Sequence, residues 1–70
     1  MNNEKISDMH RADVVARLRK QGITLSALSR NNGLHSTTLA NAFSRPYPKA
    51  ERIIADAIGL SPQEIWPSRY

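Results

Sequence analysis

The sequence predicts an all-α fold, in the form of one compact domain built from five short helices. Apolar residues recur at the spacing of a helix face, and no segment shows the strict alternation of apolar and polar residues that is typical of a strand. Residues that commonly begin or end helices lie between the apolar segments. The chain has 70 residues, which is enough for one hydrophobic core and too few for a second domain.

The N-terminal part of the chain is predicted to be an arm followed by the first helix. Residues 1–7 are polar and without hydrophobic period, so we expect a flexible arm there and place the folded domain at 8–70. The first helix is predicted over 9–21, with Asp8 as its N-cap and Gly22 just past its end. Its apolar face consists of Val14, Val15 and Leu18.

One charged residue lies on that apolar face. Arg11 projects onto the same sector as Val14 and Leu18, one turn earlier. A buried charge is costly unless it is paired. We therefore expect a carboxylate partner for Arg11, with Glu51 as the better candidate.

A second and a third helix are predicted on either side of a glycine turn. Thr24 is expected to cap the second helix, and Gly33 to adopt the left-handed backbone conformation after its end. Ser36 is expected to cap a third helix that extends to about Ser44. The inward-facing residues of the two helices are Leu25, Leu28, Leu39, Ala42 and Phe43.

The last two predicted helices both begin with a proline. Pro48 is expected at the first position of a fourth helix that Gly59 closes, and Ser61 with Pro62 is expected to open a short fifth helix. The residues of these helices that we expect in the core are Ala50, Ile53, Ile54, Ala57, Ile65 and Trp66.

Residues 25–44 have the spacing of a helix-turn-helix. Ser29 stands where the two helices cross, which requires a small side chain, and its hydroxyl can bond back to a helical carbonyl. Gly33 lies in the turn, and Leu39 and Ala42 brace the second helix against the first. Such a motif presents the N-terminal part of its second helix to the DNA major groove, which makes the helix over 36–44 the candidate reading helix.

The outer face of that helix carries short, polar and uncharged side chains. The candidate base-reading residues are Ser36, Thr37, Thr38, Asn41 and Ser44. Asn41 can pair with N6 and N7 of adenine, and a threonine can offer its hydroxyl to a base or its methyl to thymine. An ordinary solvated helix face would explain these residues in isolation, but the spacing of the whole motif favours DNA reading.

Basic and hydroxyl side chains around the motif are candidate phosphate contacts. These are Thr24, Arg30, His35, Arg45 and Lys49. Arg45 and Lys49 flank the end of the reading helix and are the best candidates, while the start of the second helix attracts anions. Arg17, Arg19 and Lys20 are interpreted as a solvated face of the first helix.

Composition agrees with a nucleic-acid partner. Ten Lys and Arg against six Asp and Glu give a net charge of +4, which favours polyanions. Without cysteine, a disulfide scaffold and a cysteine-based zinc site are excluded, and we expect no cofactor. No apolar stretch approaches the roughly 20 residues that cross a bilayer, so we expect a cytoplasmic protein without a membrane partner.

Five segments carry a family resemblance: HRADV at 10–14, LSALSR at 25–30, TTLANA at 37–42, PK at 48–49 and IWPSRY at 65–70. They resemble the Ner-like DNA-binding regulators of Mu-type transposable phages and their bacterial Nlp relatives. The resemblance implies an all-helical fold similar to lambda-repressor-like domains, and a transcriptional regulator that typically represses phage early promoters. It also implies that Thr37, Thr38 and Asn41 belong to the reading helix.

The sequence contains few features of the other classes of function. No nucleophile, base and orienting acid come together and no glycine-rich phosphate loop is present, so we expect neither catalysis nor a small-molecule substrate. A helical protein-binding adaptor stays open, with Trp66 or Tyr70 as interface anchors, as does a host-gene regulator or activator of the same fold. Since no heptad seam is left over, we predict a monomer in solution that is able to pair on DNA.

Overall fold

The computed structural model describes residues 7–70, which form four α-helices and two 3₁₀ helices. The α-helices are α1 (Arg11–Lys20), α2 (Leu25–Asn31), α3 (Pro48–Ile58) and α4 (Pro62–Ile65), and the 3₁₀ helices are Leu39–Phe43 and Pro67–Arg69. No strand occurs between residues 7 and 70, and no helix there has the length and apolar character needed to cross a bilayer. The all-α prediction is confirmed, with four α-helices instead of five helices. The predicted arm, apart from Ser7, lies outside the described residues.

The predicted third helix, over 36–44, is not an α-helix. Residues 36–38 form a turn, and Leu39–Phe43 is a 3₁₀ helix. Its hydrogen bonds join residues three apart, as when the N–H of Asn41 donates to the carbonyl of Thr38 at 3.1 Å. Threonine, serine and asparagine have low helix propensity, and so short a segment gains too little from its own hydrogen bonds to impose α-helical geometry.

The N-cap of α1 is His10, and the prediction of Asp8 is wrong. The ring Nδ1 of His10 accepts the N–H of Ala12 at 3.0 Å, and α1 begins at Arg11. The Asp8 carboxylate instead accepts the backbone N–H of Ser68 at 3.0 Å and its hydroxyl at 2.7 Å. Asp8 therefore joins the two ends of the described chain and is not available to the helix.

Three other predicted caps and turns are confirmed. Thr24 Oγ1 accepts the N–H of Ala27 at 3.1 Å. Gly33 in the turn has φ of 73°, a conformation that costs glycine little. Ser61 and Glu64 form a capping box, in which the Glu64 carboxylate accepts the N–H of Ser61 at 2.7 Å and the Ser61 hydroxyl accepts the N–H of Glu64 at 3.3 Å. A cap of this kind contributes about 1 kcal/mol.

The core draws residues from α1, α3, α4 and the 3₁₀ helix Leu39–Phe43. Its buried members are Val14, Leu18, Leu39, Ala42, Ala50, Ile54, Ala55, Ile58, Ile65 and Trp66. Within α2 the only buried residue is Ser29, and its leucines pack against the core from a half-buried position. Trp66 is only 2% exposed, which makes it a core residue and removes it as an interface anchor.

The buried face of α3 differs in part from the prediction. Pro48 opens the helix, and Ala50 and Ile54 are buried as expected, but Ile53 and Ala57 are half-buried. The additional buried residues are Glu51, Ala55 and Ile58. The buried stripe is displaced because Glu51 has partners in the interior.

Candidate nucleic-acid interface

Ser29 joins the two halves of the helix-turn-helix. Its side chain is fully buried, and its Oγ accepts the backbone N–H of Leu39 at 3.2 Å. Its carbonyl accepts the N–H of Leu34, just past the turn, at 2.9 Å. The hydroxyl oxygen accepts the first N–H of the 3₁₀ helix, a contact across ten residues that the sequence did not indicate. Ser29 thereby sets both the turn and the start of the 3₁₀ helix.

Residues 36–44 form the reading segment. This segment presents a row of polar side chains. Side chains three residues apart eclipse one another in a 3₁₀ helix. Thr38, Asn41 and Ser44 therefore share one row, and the last two are exposed. Interpreted with α-helical periodicity, the sequence pattern predicts Thr37 in this row. Thr37 and Thr38 both lie in the turn before the 3₁₀ helix, and Thr38, its N-cap residue, is the one three positions before Asn41.

The opposite side of the reading segment faces the core. Leu39 and Ala42, again three residues apart, are fully buried. Ala40 and Phe43 form a half-buried row between the two, and the Phe43 ring packs against Trp66 with centroids 6.0 Å apart. The segment is therefore held on one side while its polar row stays open to a ligand.

His35 and Thr37, predicted as a phosphate contact and a base contact, bind each other. The ring Nδ1 of His35 lies 3.1 Å from Thr37 Oγ1 and accepts the backbone N–H of Thr37 at 3.3 Å. The predicted Ser36 cap is wrong, since this histidine orders the turn and no side chain caps the 3₁₀ helix. With Nδ1 as the acceptor, the neutral ring carries its proton on Nε2, which is then the donor open to a phosphate.

All five candidate phosphate contacts are exposed: Thr24, Arg30, His35, Arg45 and Lys49. Within residues 7–70 the only ion pair joins Arg69 to Glu51, so no carboxylate there neutralises Arg30, Arg45 or Lys49. Lys49 lies in the first turn of α3, where the helix dipole disfavours a positive charge. Its charge is therefore not accounted for by the helix or by an ion pair among residues 7–70.

The expected pairing of Arg11 with Glu51 is wrong. Arg11 is exposed, and its guanidinium lies over the ring of Phe43, 5.4 Å from the centroid. An exposed charge has no desolvation cost to offset, so a cation–π contact at the edge of the core is sufficient.

Glu51 is instead the centre of a buried network that the sequence did not indicate. It is 1% exposed and accepts hydrogen bonds from Tyr47 N–H at 2.7 Å, from Arg69 Nη1 at 3.0 Å and from the Tyr70 hydroxyl. Burial alone would raise the pKa of Glu51, but the bonds from Tyr70, Tyr47 and Arg69 outweigh it and hold the pKa below its usual value. The bond between Tyr70 and Glu51 also raises the pKa of the Tyr70 hydroxyl.

Arg69 extends this network to the reading segment. Its Nη1 donates to the carbonyl oxygen of Ala42 at 2.6 Å, and its guanidinium lies over the Trp66 ring at 5.3 Å. Local spacing could not have revealed this contact, because 27 residues separate the two partners. Between residues 7 and 70, no three His, Asp or Glu side chains are placed to hold a metal ion.

Comparisons with known proteins agree with this geometry. The family described as winged helix-turn-helix DNA-binding matches residues 8–70. The chain is 62% identical over 63 residues to the negative regulator of transcription of Escherichia phage D108, covering 90% of this chain and 86% of that protein. It is also 62% identical over 63 residues to sugar fermentation stimulation protein B of Escherichia coli K12, covering 90% and 68%. The solution structure of the Mu Ner protein matches with a TM-score of 0.79 and 59% identity, covering 97% of this chain and 92% of that one.

Proposed function

Because this chain belongs to the winged helix-turn-helix DNA-binding family, we propose that it binds specific sequences in duplex DNA and represses transcription from the promoters that contain them. It acts by occupying DNA in the cytoplasm, without catalysis. Residues 7–70 contain no strand, so a β-hairpin wing is not formed by them. The DNA contacts of these residues come from helices and turns.

The base contacts come from the reading segment. Asn41 is exposed, and its amide can bond N6 and N7 of one adenine. Ser44 lies in the same row, as does Thr38, the N-cap residue of the 3₁₀ helix, and Ser36 and Thr37 precede it in the turn. At about 2.0 Å per residue the row from Thr38 to Ser44 covers about 12 Å, the rise of three or four base pairs at about 3.4 Å each. This uncharged row, exposed at Asn41 and Ser44, on a segment anchored by its buried side is the observation that carries the proposal.

The phosphate contacts surround that row. Arg45 follows the reading segment directly, and Lys49 follows at the start of α3. Arg30 lies at the end of α2, Thr24 begins it, and His35 offers its Nε2 from the turn. Contacts of this kind supply much of the affinity, while the base edges supply the choice of sequence.

Selection of preferred sequences from a random duplex pool tests the proposal. A specific regulator yields a shared motif, and a general DNA-coating protein yields none. The affinity for the selected duplex should then be measured against salt concentration. Contacts with about four to six phosphates give a log–log slope of magnitude about 4 to 5, whereas a protein-binding adaptor shows almost no slope.

The small amount of exposed apolar surface on the described residues supports a monomer in solution. Within residues 7–70 Tyr70 is the only large apolar side chain that is exposed, and one such residue is too little for a stable interface between copies. The proposed state is a monomer in solution that is able to pair on DNA, with half-sites about 34 Å apart. Sedimentation with and without the selected duplex tests this, and a tight dimer without DNA would contradict it.

The direction of regulation is a separate question with its own test. The D108 relative is named a negative regulator and the Escherichia coli relative is named for stimulation. Repression is favoured here because a small domain that occupies promoter DNA blocks it without needing a contact to the transcription machinery. A reporter placed behind the selected sequence should lose output when the protein is expressed, and a gain in output would favour activation.

A further inference from the structure

The carbonyl of Ala42 in the reading segment has no backbone partner available. The N–H of Arg45, which could reach it, donates instead to the backbone carbonyl of Asn41 at 3.2 Å. Pro46 has no N–H to donate, and the N–H of Tyr47 is bound to Glu51. Ala42 is fully buried, and a buried carbonyl without a partner is costly. The guanidinium of Arg69 supplies the missing donor, with Nη1 at 2.6 Å from the Ala42 carbonyl oxygen.

Arg69 is itself held from two other directions. The same Nη1 lies 3.0 Å from Glu51 Oε2, and the side chain of Arg69 is 14% exposed. The guanidinium also covers the ring of Trp66, 5.3 Å from its centroid. A planar, permanently charged donor held by an ion pair and a ring has little freedom to move. The end of the reading segment is therefore tied to α3 and to the core through a single side chain.

We propose that Arg69 is a positioning residue for DNA reading, which fixes the depth at which Asn41 and Ser44 enter the groove without itself touching DNA. The inference rests on the proposed function. Asn41 immediately precedes the carbonyl that Arg69 binds, and Ser44 follows it by two residues. A base contact needs its side chain placed to within about half an ångström, whereas a phosphate contact from a long flexible side chain tolerates more movement. Losing the tether should therefore cost discrimination between sequences more than it costs general affinity.

The test compares Arg69→Met with Arg19→Met. Both remove one positive charge, but Arg19 is exposed on α1 and methionine at position 69 keeps the packing on Trp66. We expect Arg69→Met to lower the ratio of affinities for the selected and random duplexes by about three- to thirtyfold, with an unchanged salt slope. Arg69→Lys, which retains the charge but not the planar fork, should fall in between, and Arg19→Met should keep the wild-type ratio.

Two outcomes would overturn the inference. An unchanged ratio in folded Arg69→Met, verified by circular dichroism at the temperature of the binding measurement, would show that the tether does not position the reading segment. Equal losses on both duplexes with a slope lower by about one would make Arg69 a phosphate contact instead. A wild-type protein that selects no sequence contradicts the proposed function, which separates that failure from this one.

A measurement on the unmodified protein covers the case in which the variants do not fold. The guanidinium protons of Arg69 should give separate, slowly exchanging NMR signals both free and on the selected duplex, because the group is clamped in both states. A freely rotating guanidinium in either state would refute the tether.

Discussion

Replacing Glu51 by glutamine tests the buried network most directly. The carboxylate accepts three hydrogen bonds, from Tyr47, Arg69 and Tyr70, and it neutralises the guanidinium. Glutamine has nearly the same shape but no charge, and its NH₂ group cannot accept any of these bonds. Glu51→Gln therefore leaves Arg69 partly buried without a counter-charge while the surrounding packing stays the same.

The expected loss of stability is about 2–3 kcal/mol. Removing one partner of a buried pair typically costs about 3–5 kcal/mol. Arg69 is 14% exposed at its side chain and the glutamine oxygen keeps one acceptor, so the range for hydrogen bonds to charged groups, about 1.5–3 kcal/mol, is the better guide. The core of a domain this small contributes only about 3–5 kcal/mol of net stability, so Glu51→Gln is preferred to Glu51→Ala, which we expect to unfold.

Urea denaturation at several pH values is the assay. The pKa of Glu51 is lower in the folded protein, so its stabilisation is present above the ordinary glutamate pKa and is lost as the pH falls through the folded value. The difference in unfolding free energy between wild type and Glu51→Gln should therefore be full at pH 7 and shrink below the ordinary value of 4.5. The lowered pKa of Asp8 acts in the same direction, but it is common to both proteins and cancels in the difference.

Two further variants identify the source of the loss. Tyr70→Phe removes one donor and no charge, and should cost only about 1 kcal/mol. The double variant Glu51→Gln with Arg69→Met should lose about 2 kcal/mol less than the sum of the single changes, because no unpaired guanidinium is left. The reasoning is refuted if Glu51→Gln is within about 0.5 kcal/mol of wild type at pH 7, or if its deficit does not change with pH.

Three other predictions concern the reading segment and its surroundings. Asn41→Ala should cost about 1–3 kcal/mol on the selected duplex and relax discrimination at one base pair; equal losses on selected and random DNA would remove Asn41 from the base contacts. Lys49→Ala should weaken binding to all sequences alike and lower the salt slope by about one, and an unchanged slope would show that Lys49 touches no phosphate. Ser29→Ala should lower the unfolding free energy by about 1–2 kcal/mol, because the buried N–H of Leu39 loses its acceptor; a variant as stable as wild type in urea would contradict this.

The helix ends that the sequence predicted correctly depend on neighbouring residues alone. The Thr24 cap, the Ser61 cap and the Gly33 turn each involve partners within a few positions along the chain. The resemblance to Ner-like regulators, inferred from five segments, is confirmed by the match to the Mu Ner structure. The chemistry of neighbouring residues was sufficient to predict the helix ends, and the sequence pattern was sufficient to identify the family.

The geometry of the reading segment could not be predicted in the same way. The energy difference between bonds to the third and to the fourth preceding residue is small in a short polar segment. Contacts from residues outside the segment select the 3₁₀ pattern, since Ser29 accepts the N–H of Leu39 and Arg69 donates to the carbonyl of Ala42. The sequence located the segment, but it could not place Thr38 instead of Thr37 beside Asn41. The assignment of these residues as base contacts stays a prediction.

The main errors in the sequence-based predictions concern polar contacts between residues that are far apart along the chain. Asp8 and His10 are both chemically able to cap α1, and the contact with Ser68 decides between them. Glu51 could have paired with any nearby cation. It pairs with Arg69 because the C-terminal residues pass beside α3. Such choices depend on where distant segments meet, which periodicity along the chain does not record.

The separation of rows in the reading segment has an evolutionary consequence. If the proposed base contacts are made, substitutions at Asn41 and Ser44 change the preferred sequence, while the fully buried Leu39 and Ala42 continue to hold the fold. Under the proposed base contacts, the residues that choose the DNA sequence are thus separate from those that maintain the core.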